Sequence, residues 1–228
     1  MIRNVLFDLD DTLLDFKRAE AVAIRRTLYE MGIDPTDSTV ELYSRLNRSC
    51  WAKLETGEYT RDEVLHRRFD MLFAALEIEG DSHETQKRYE HLLSQGAFIL
   101  DGARELLEEL FAEYRLYLAT NGIINVQARR IVDADIGKYF DGVFVSEMIG
   151  YNKPDVRFFE IAFSDIPDFK KEETVIIGDT LTSDIKGGIN AGIKTVYFNP
   201  RGAKNDTGIT PDYEIHSLGE IPELLKTM

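Results

Sequence analysis

Five carboxylates, a threonine and a lysine stand directly after short apolar runs in this chain. Asp8, Asp10 and Asp11 follow Val5-Leu6-Phe7, with Thr12 beside them. Thr120-Asn121-Gly122 follows Leu116-Tyr117-Leu118-Ala119, and Lys153-Pro154 lies downstream of Val143-Phe144-Val145. Asp179 follows Val175-Ile176-Ile177-Gly178, and Asp184 comes five residues later. Surface ion pairing does not explain acids placed at the ends of apolar runs. Two like charges about 4 Å apart repel by roughly 4 kcal/mol at an effective dielectric of about 20, so such a group needs a cation or a proton. Hard oxygen donors with no His or Cys among them suit Mg²⁺, which uses one or two carboxylates together with substrate phosphate oxygens. Asp8 and Asp10 are two residues apart, a spacing that projects both side chains to one face of extended chain. One can attack while the other handles protons, and a carboxylate is a competent nucleophile for phosphoryl transfer. Thr120 and the amides around Asn121 and Gly122 can hold phosphate oxygens, and Lys153 can neutralise developing charge.

The elements that must position these residues are legible in the apolar pattern. The runs at 5–7, 116–119, 143–145, 175–177 and 195–198 are near-continuously apolar, as in strands of a parallel sheet covered on both faces. Stretches of helical length lie between the last four, at 125–134, 156–163 and 184–191. This alternation predicts an α/β protein with a Rossmann-like, doubly wound parallel sheet, whose ligand site lies beyond the carboxyl ends of its strands. The first gap differs. Residues 16–98 carry no strand signal but four helical stretches near 17–31, 38–56, 61–77 and 82–95, broken at Gly32-Ile33-Asp34-Pro35, Gly57 and Gly80-Asp81. They read as a separate helical subdomain, 16–98, inserted into a core of 1–15 and 99–228. A surface loop is expected at 201–212. Ser217 is expected to cap a last helix near 218–226, with Pro222 in its first turn.

Composition narrows the function classes. The chain has 228 residues, 30% of them charged, and a net charge of −14, which repels nucleic-acid polymers and anionic membranes. No apolar run approaches a membrane span. The N-terminus runs directly into the first strand without a secretory pattern, so a cytoplasmic protein is expected, with a monomer as the default. The single cysteine, Cys50, excludes an intrachain disulfide and a cysteine-rich zinc site. The four histidines show no ligand spacing, and His83 and His91 read as a solvated helix face. Gly187, Gly188 and Gly192 read as close helix packing and a helix end, not as a dinucleotide fingerprint.

Taken in order, Asp8-x-Asp10-Asp11-Thr12-Leu13, Thr120-Asn121-Gly122, Lys153-Pro154 and Gly178-Asp179-Thr180 with Asp184 closely resemble the four motifs of the haloacid dehalogenase-like hydrolase superfamily, whose members are mostly phosphatases. The resemblance implies Asp8 as nucleophile and Asp10 as general acid/base. It implies Thr120 and Lys153 on the phosphoryl group. Mg²⁺ would be held by Asp8, the Asp10 carbonyl and Asp179, with Asp184 in direct or outer-shell support, and the helical insertion would be the family's cap. Cys50-Trp51, Glu55-Thr56-Gly57-Glu58-Tyr59-Thr60 and Arg68-Phe69 further resemble the cap of the bacterial pyrimidine 5′-nucleotidase branch. That implies a nucleoside monophosphate as substrate. Trp51 and Tyr59 are candidate base contacts, and Phe69 is more simply cap core. The alternatives are a sugar phosphate, phosphoglycolate or acyl sugar phosphate on the same core, a 2-haloacid dehalogenase, which needs neither metal nor second acid, and a non-catalytic relict.

Overall fold

The computed structural model describes residues 1–228. In chain order its main elements are β1 (Asn4–Phe7), α1 (Phe16–Glu30), α2 (Asp37–Glu55), α3 (Arg61–Leu76), α4 (Ser82–Leu93), α5 (Ala103–Leu110), β2 (Arg115–Thr120) and α6 (Ile124–Asp133). Then come β3 (Gly142–Val145), α7 (Ser146–Ile149), α8 (Val156–Ser164), β4 (Thr174–Gly178), α9 (Lys186–Ala191), β5 (Lys194–Phe198), β6 (Tyr213–Ile215) and α10 (Ile221–Thr227). The chain divides into two compact units. One comprises 1–15, 99–124 and 134–228, and the other 16–98 with 125–133.

Three helices of the helical unit start with side-chain caps. Thr36 accepts the Thr39 N–H at 3.2 Å ahead of α2. Thr60 and Glu63 form a reciprocal capping box ahead of α3, at 3.3 and 3.0 Å. Asp81 accepts the N–H groups of His83 and Glu84 at 2.9 and 3.1 Å ahead of α4. Each cap contributes about 1 kcal/mol by satisfying donors that the first turn cannot. Inside, Tyr43 stacks on Phe69 and leans on Tyr89, with ring centroids 5.3 Å apart in both pairs. Phe69 is thus a core residue, as the sequence suggests. A buried polar chain crosses this interior. Ser44 and Asn47 donate to Glu20 at 2.5 and 2.6 Å, and Arg68 donates to Asn47 and Gln86 at 2.6 Å each. Residues 125–133 of α6 belong to this unit, whereas the sequence reading assigned them to the core. The fully buried Arg130 explains their place: it donates to the Gly96 carbonyl at 3.0 Å and lies over the Phe16 ring.

The other unit is built on a six-stranded sheet in the order β3-β2-β1-β4-β5-β6, every pair parallel. β1 sits between β2 and β4, so the connections turn to opposite sides there and leave a crevice at its carboxyl end. One face of the sheet presents Leu6, Tyr117, Ala119 and Ile176 to Phe158, Phe159, Ala162 and Phe163 of α8. The opposite-facing Val5, Phe7, Leu116, Leu118, Val175 and Ile177 are equally buried, which is why these strands read as unbroken apolar runs. α9 lies close over the sheet because Gly188 has no side chain. A Cβ there would stand 2.6 Å from methyls of both Ile176 and Thr195. Three elements escaped the sequence reading: the eight-residue α5, the single turn α7, and β6, an edge strand in which only Ile215 is buried. A fourth differs in form. The expected helix from 184 begins earlier, as a π-turn over Leu181–Ile185, and Asp184 lies within that turn. Ser217 does cap, through a box with Glu220, and Pro222 falls in the first turn of α10. No helix is long and apolar enough to cross a membrane.

Candidate active site

The loop leaving β1 is wound tightly enough to keep its acids at the strand end. The Asp8 N–H extends the β1–β4 ladder to the Ile177 carbonyl at 2.9 Å. Leu13 and Leu14 then both donate back to the Leu9 carbonyl, and Asp11 donates to the Leu14 carbonyl. Buried Leu9, Leu13 and Leu14 anchor the turn. Asp11 adopts a left-handed backbone, φ 56°, a conformation that aspartate tolerates better than most residues, so it shapes this reversal. Thr12 is fully buried and its hydroxyl has no hydrogen-bond partner.

Lys153 is the centre of the cluster. Its ammonium, 1% exposed, donates to Asp8 Oδ1 at 2.7 Å, to Asp184 Oδ1 at 2.6 Å and to the Ala119 carbonyl at 2.5 Å. All three N–H groups are committed. Burial alone would lower the Lys153 pKa, but the carboxylates of Asp184 and Asp8 outweigh it and hold the group cationic. Burial pushes Asp8 well above the ordinary carboxylate range; Lys153 pulls it down, and Asp184, Asp179 and Asp10 push it further up. Asp8 and Asp184 share one ammonium, while Asp179 and Asp10 lie close enough to act on Asp8.

Neighbouring groups hold this cluster in place. Asn121, expected on the substrate, uses both ends of its amide on the main chain of Lys153: Oδ1 accepts its N–H at 2.9 Å and Nδ2 donates to its carbonyl at 3.0 Å. The loop after β2 thereby fixes the residue that carries the ammonium. Thr120 is buried, and its hydroxyl accepts the Gly122 N–H at 3.1 Å. Thr180, to which the sequence reading gave no role, orients two acids. Its hydroxyl donates to Asp179 Oδ1 and its N–H to Asp184 Oδ2, both at 3.1 Å. Gly178 is required by the same packing: a Cβ there would sit 2.7 Å from the Asp184 Cβ and closer still to its carboxylate. Position after a strand signalled all of these residues, but their mutual hydrogen bonds had no sequence signature.

Asp8, Asp179 and Asp184 each bring a carboxylate oxygen to within 4.8 Å of the others. The donor set is hard oxygen throughout and carries excess negative charge, which fits Mg²⁺ and not a soft or nitrogen-seeking ion. Trp51 and Tyr59 lie in the helical unit, half-buried against Cys50, Leu54 and Val64. The Tyr59 ring has the cations of Lys53 and Arg67 over it at 4.7 and 4.8 Å, and Arg61 lies 5.6 Å from the Trp51 ring.

A family model, haloacid dehalogenase-like hydrolase, matches residues 5–198, spanning all four groups of site residues. The chain belongs to the haloacid dehalogenase-like hydrolase family. Among relatives in this family, the pyrimidine 5′-nucleotidase PynA of Streptococcus pneumoniae is 40% identical over 97% of this chain and 94% of its own length. The pyrimidine 5′-nucleotidase YjjG of Escherichia coli is 27% identical over 97% and 96%. A crystal structure of the HAD-hydrolase YfnB of Bacillus subtilis bound to magnesium matches with a TM-score of 0.94 at 39% identity, over 98% of each chain.

Proposed function

We propose that this chain is a Mg²⁺-dependent phosphoric monoester hydrolase that works through an aspartyl-phosphate, and that its substrates are pyrimidine nucleoside 5′-monophosphates. The observation that carries the chemistry is the buried Asp8 at the sheet's switch point, held by Lys153 with Asp179 and Asp184 in reach. The substrate class is supported by the two relatives named as pyrimidine 5′-nucleotidases, which align along almost the whole chain. Asp8, Asp179, Asp184 and the Asp10 carbonyl would hold the ion. A bound Mg²⁺ supplies positive charge to the phosphate oxygens and lets the dianion approach these carboxylates.

The remaining work falls to the protein. A carboxylate oxygen of Asp8 attacks phosphorus as the bond to the ribose 5′ oxygen breaks, and Asp10 gives its proton to that leaving oxygen. Asp10, now ionised, takes a proton from water. The water oxygen attacks phosphorus, the bond to Asp8 breaks, and phosphate leaves. Lys153 favours the ionised form of Asp8 and aims it, and Thr120 with the amides of Asn121 and Gly122 steadies the phosphoryl oxygens. Trp51 and Tyr59 of the helical unit are the proposed base contacts.

The test is phosphate release with Mg²⁺ and with EDTA across UMP, dUMP, dTMP, purine monophosphates and common sugar phosphates. Metal-dependent preference for the pyrimidine nucleotides is expected. Preference for sugar phosphates would keep the core chemistry and overturn the substrate class. Turnover unchanged by EDTA would overturn the metal role.

A further inference from the structure

The connection that carries Lys153 grips the loop after β2 at Asn121, and again at a residue that belongs to no motif. The first grip is the Asn121 amide on the Lys153 main chain. The second is Glu147 of α7, whose Oε2 accepts the N–H of Ile124 at 2.7 Å. Ile124 opens α6, and its N–H is one of those that the first turn of a helix leaves without an intrahelical acceptor. The residue before it, Ile123, has no side-chain oxygen to offer, unlike Thr36, Thr60 and Asp81 ahead of α2, α3 and α4. A carboxylate from another loop takes that part, and its charge suits the positive end of the helix dipole.

Glu147 reaches from a firm base. Ser146 beside it is buried, and the Gly150 N–H closes α7 on the Ser146 carbonyl at 2.8 Å, with Gly150 in a left-handed conformation, φ 86°. Ile149 and Tyr151 pack against the core around Tyr117, Ala119 and Phe144. The loop it holds is short. Asn121, Gly122 and Ile123 are all that separate Thr120, at the end of β2, from the Ile124 amide. Within that loop Gly122 donates to Thr120 Oγ1 at 3.1 Å, so the path of the loop also sets the orientation of this hydroxyl. A three-residue loop held at both ends has little freedom to shift these groups. Without the Glu147 bond it would keep its tie at Asn121 and lose the one at its helical end. Glu147 itself is exposed, so replacing it opens no cavity in the core.

We propose that Glu147 is a positioning residue for phosphoryl binding: by holding Ile124 it keeps the Thr120 hydroxyl and the Asn121 amide aimed at the phosphoryl oxygens. This rests on the hydrolase reading above, in which that loop takes the phosphate. Glu147 acts through its hydrogen bond and not through its charge, since a negative charge near an entering dianion can only repel it. A neutral acceptor of the same shape therefore keeps the benefit, and a methyl group loses it.

The experiment compares the parent with Glu147→Ala, Glu147→Gln and a control, Ser217→Ala, which removes a cap elsewhere in the same unit. Steady-state hydrolysis of the fastest monoester in the panel above gives kcat and KM. Calorimetric titration with inorganic phosphate in MgCl₂ gives the Kd of the product without turnover. Glu147→Ala should raise both KM and the phosphate Kd about fivefold and leave kcat within about twofold of the parent's, the pattern of a lost interaction shared by ground and transition states. Glu147→Gln should stay within about twofold of the parent in all three. Ser217→Ala should lower the melting temperature and leave KM and Kd at parental values. Parental KM and phosphate Kd in Glu147→Ala would overturn the proposal and leave the hydrolase reading intact. Equal weakening in the Ala and Gln variants, or tighter phosphate binding in both, would overturn it as well, because charge and not the bond would then govern. A parent that binds phosphate with the expected ranking of variants but hydrolyses no monoester would sustain the positioning role and remove the hydrolase reading. A parent that binds no phosphate would overturn both.

Discussion

Replacing Lys153 with methionine removes an ammonium and keeps most of its stem, so it isolates the charge. At the observed 2.7 and 2.6 Å to Asp8 and Asp184, an effective dielectric of about 20 gives each contact roughly 6 kcal/mol of attraction. Desolvating the ammonium returns several kcal/mol of that. Removing one partner of a buried ion pair typically costs about 3–5 kcal/mol, because the remaining charge is left buried and uncompensated. Here two carboxylates and the Ala119 carbonyl lose the same partner, so Lys153→Met should sit at the upper end of that range. At an m-value of about 2–3 kcal/mol/M, the urea midpoint should fall by roughly 2 M in EDTA. Saturating Mg²⁺ should recover part of the loss by supplying the missing positive charge. The assay is urea unfolding followed by far-UV circular dichroism and by fluorescence of Trp51, the only tryptophan, which reports on the helical unit. Unfolding at the parental urea concentration in EDTA would refute the reasoning, as would a shift confined to the Trp51 signal.

Asp8→Asn should abolish turnover while leaving the unfolding midpoint at or above the parent's, since it removes one of several crowded negative charges; normal phosphate release would refute the nucleophile assignment. Gly178→Ala should weaken Mg²⁺ binding, read by calorimetry, because the new methyl must push the Asp184 carboxylate aside. Unchanged Mg²⁺ affinity would mean that Asp184 does not support the ion. Thr180→Val should lower Mg²⁺ affinity about 10–100-fold through loss of the hydroxyl that orients Asp179, and Thr180→Ser should restore it; equal effects of Val and Ser would assign Thr180 to packing alone.

Much of the sheet was legible because strands buried on both faces carry their signal in every residue. Val5-Leu6-Phe7 and Val175-Ile176-Ile177 needed no partner to be recognised. β6 was not legible, since a three-residue edge strand with one buried side chain carries almost no apolar pattern. α5, Ala103–Leu110, is clearly amphipathic, but at eight residues it is short enough to be absorbed into a connection. The grouping of α6 was illegible for another reason: periodicity reveals that a helix has an apolar face, not which element covers it. In the site, strand-end position located the acids, Thr120 and Lys153. It did not reveal that Asn121 clamps the Lys153 main chain or that Thr180 binds two carboxylates, because such bonds depend on loop paths set by distant strands.

The arrangement of α6 bears on how this helical module can be exchanged. A transplant that cuts at 15/16 and 98/99 would look complete in sequence yet leave residues 125–133 behind. Those residues would bring to the recipient a helix with buried Val126 and Ile131, and an Arg130 whose carbonyl acceptor at Gly96 had gone with the other helices. Arg130 would keep its contact with Gln127 on the same helix but lose a buried acceptor, and a buried donor left without its partner is costly, so grafts made at the two obvious junctions should be destabilised. A graft that keeps this unit whole must carry 125–133 with 16–98, a segment just past Thr120-Asn121-Gly122. In this chain one buried arginine thus links the helical module to the stretch that follows the second group of site residues.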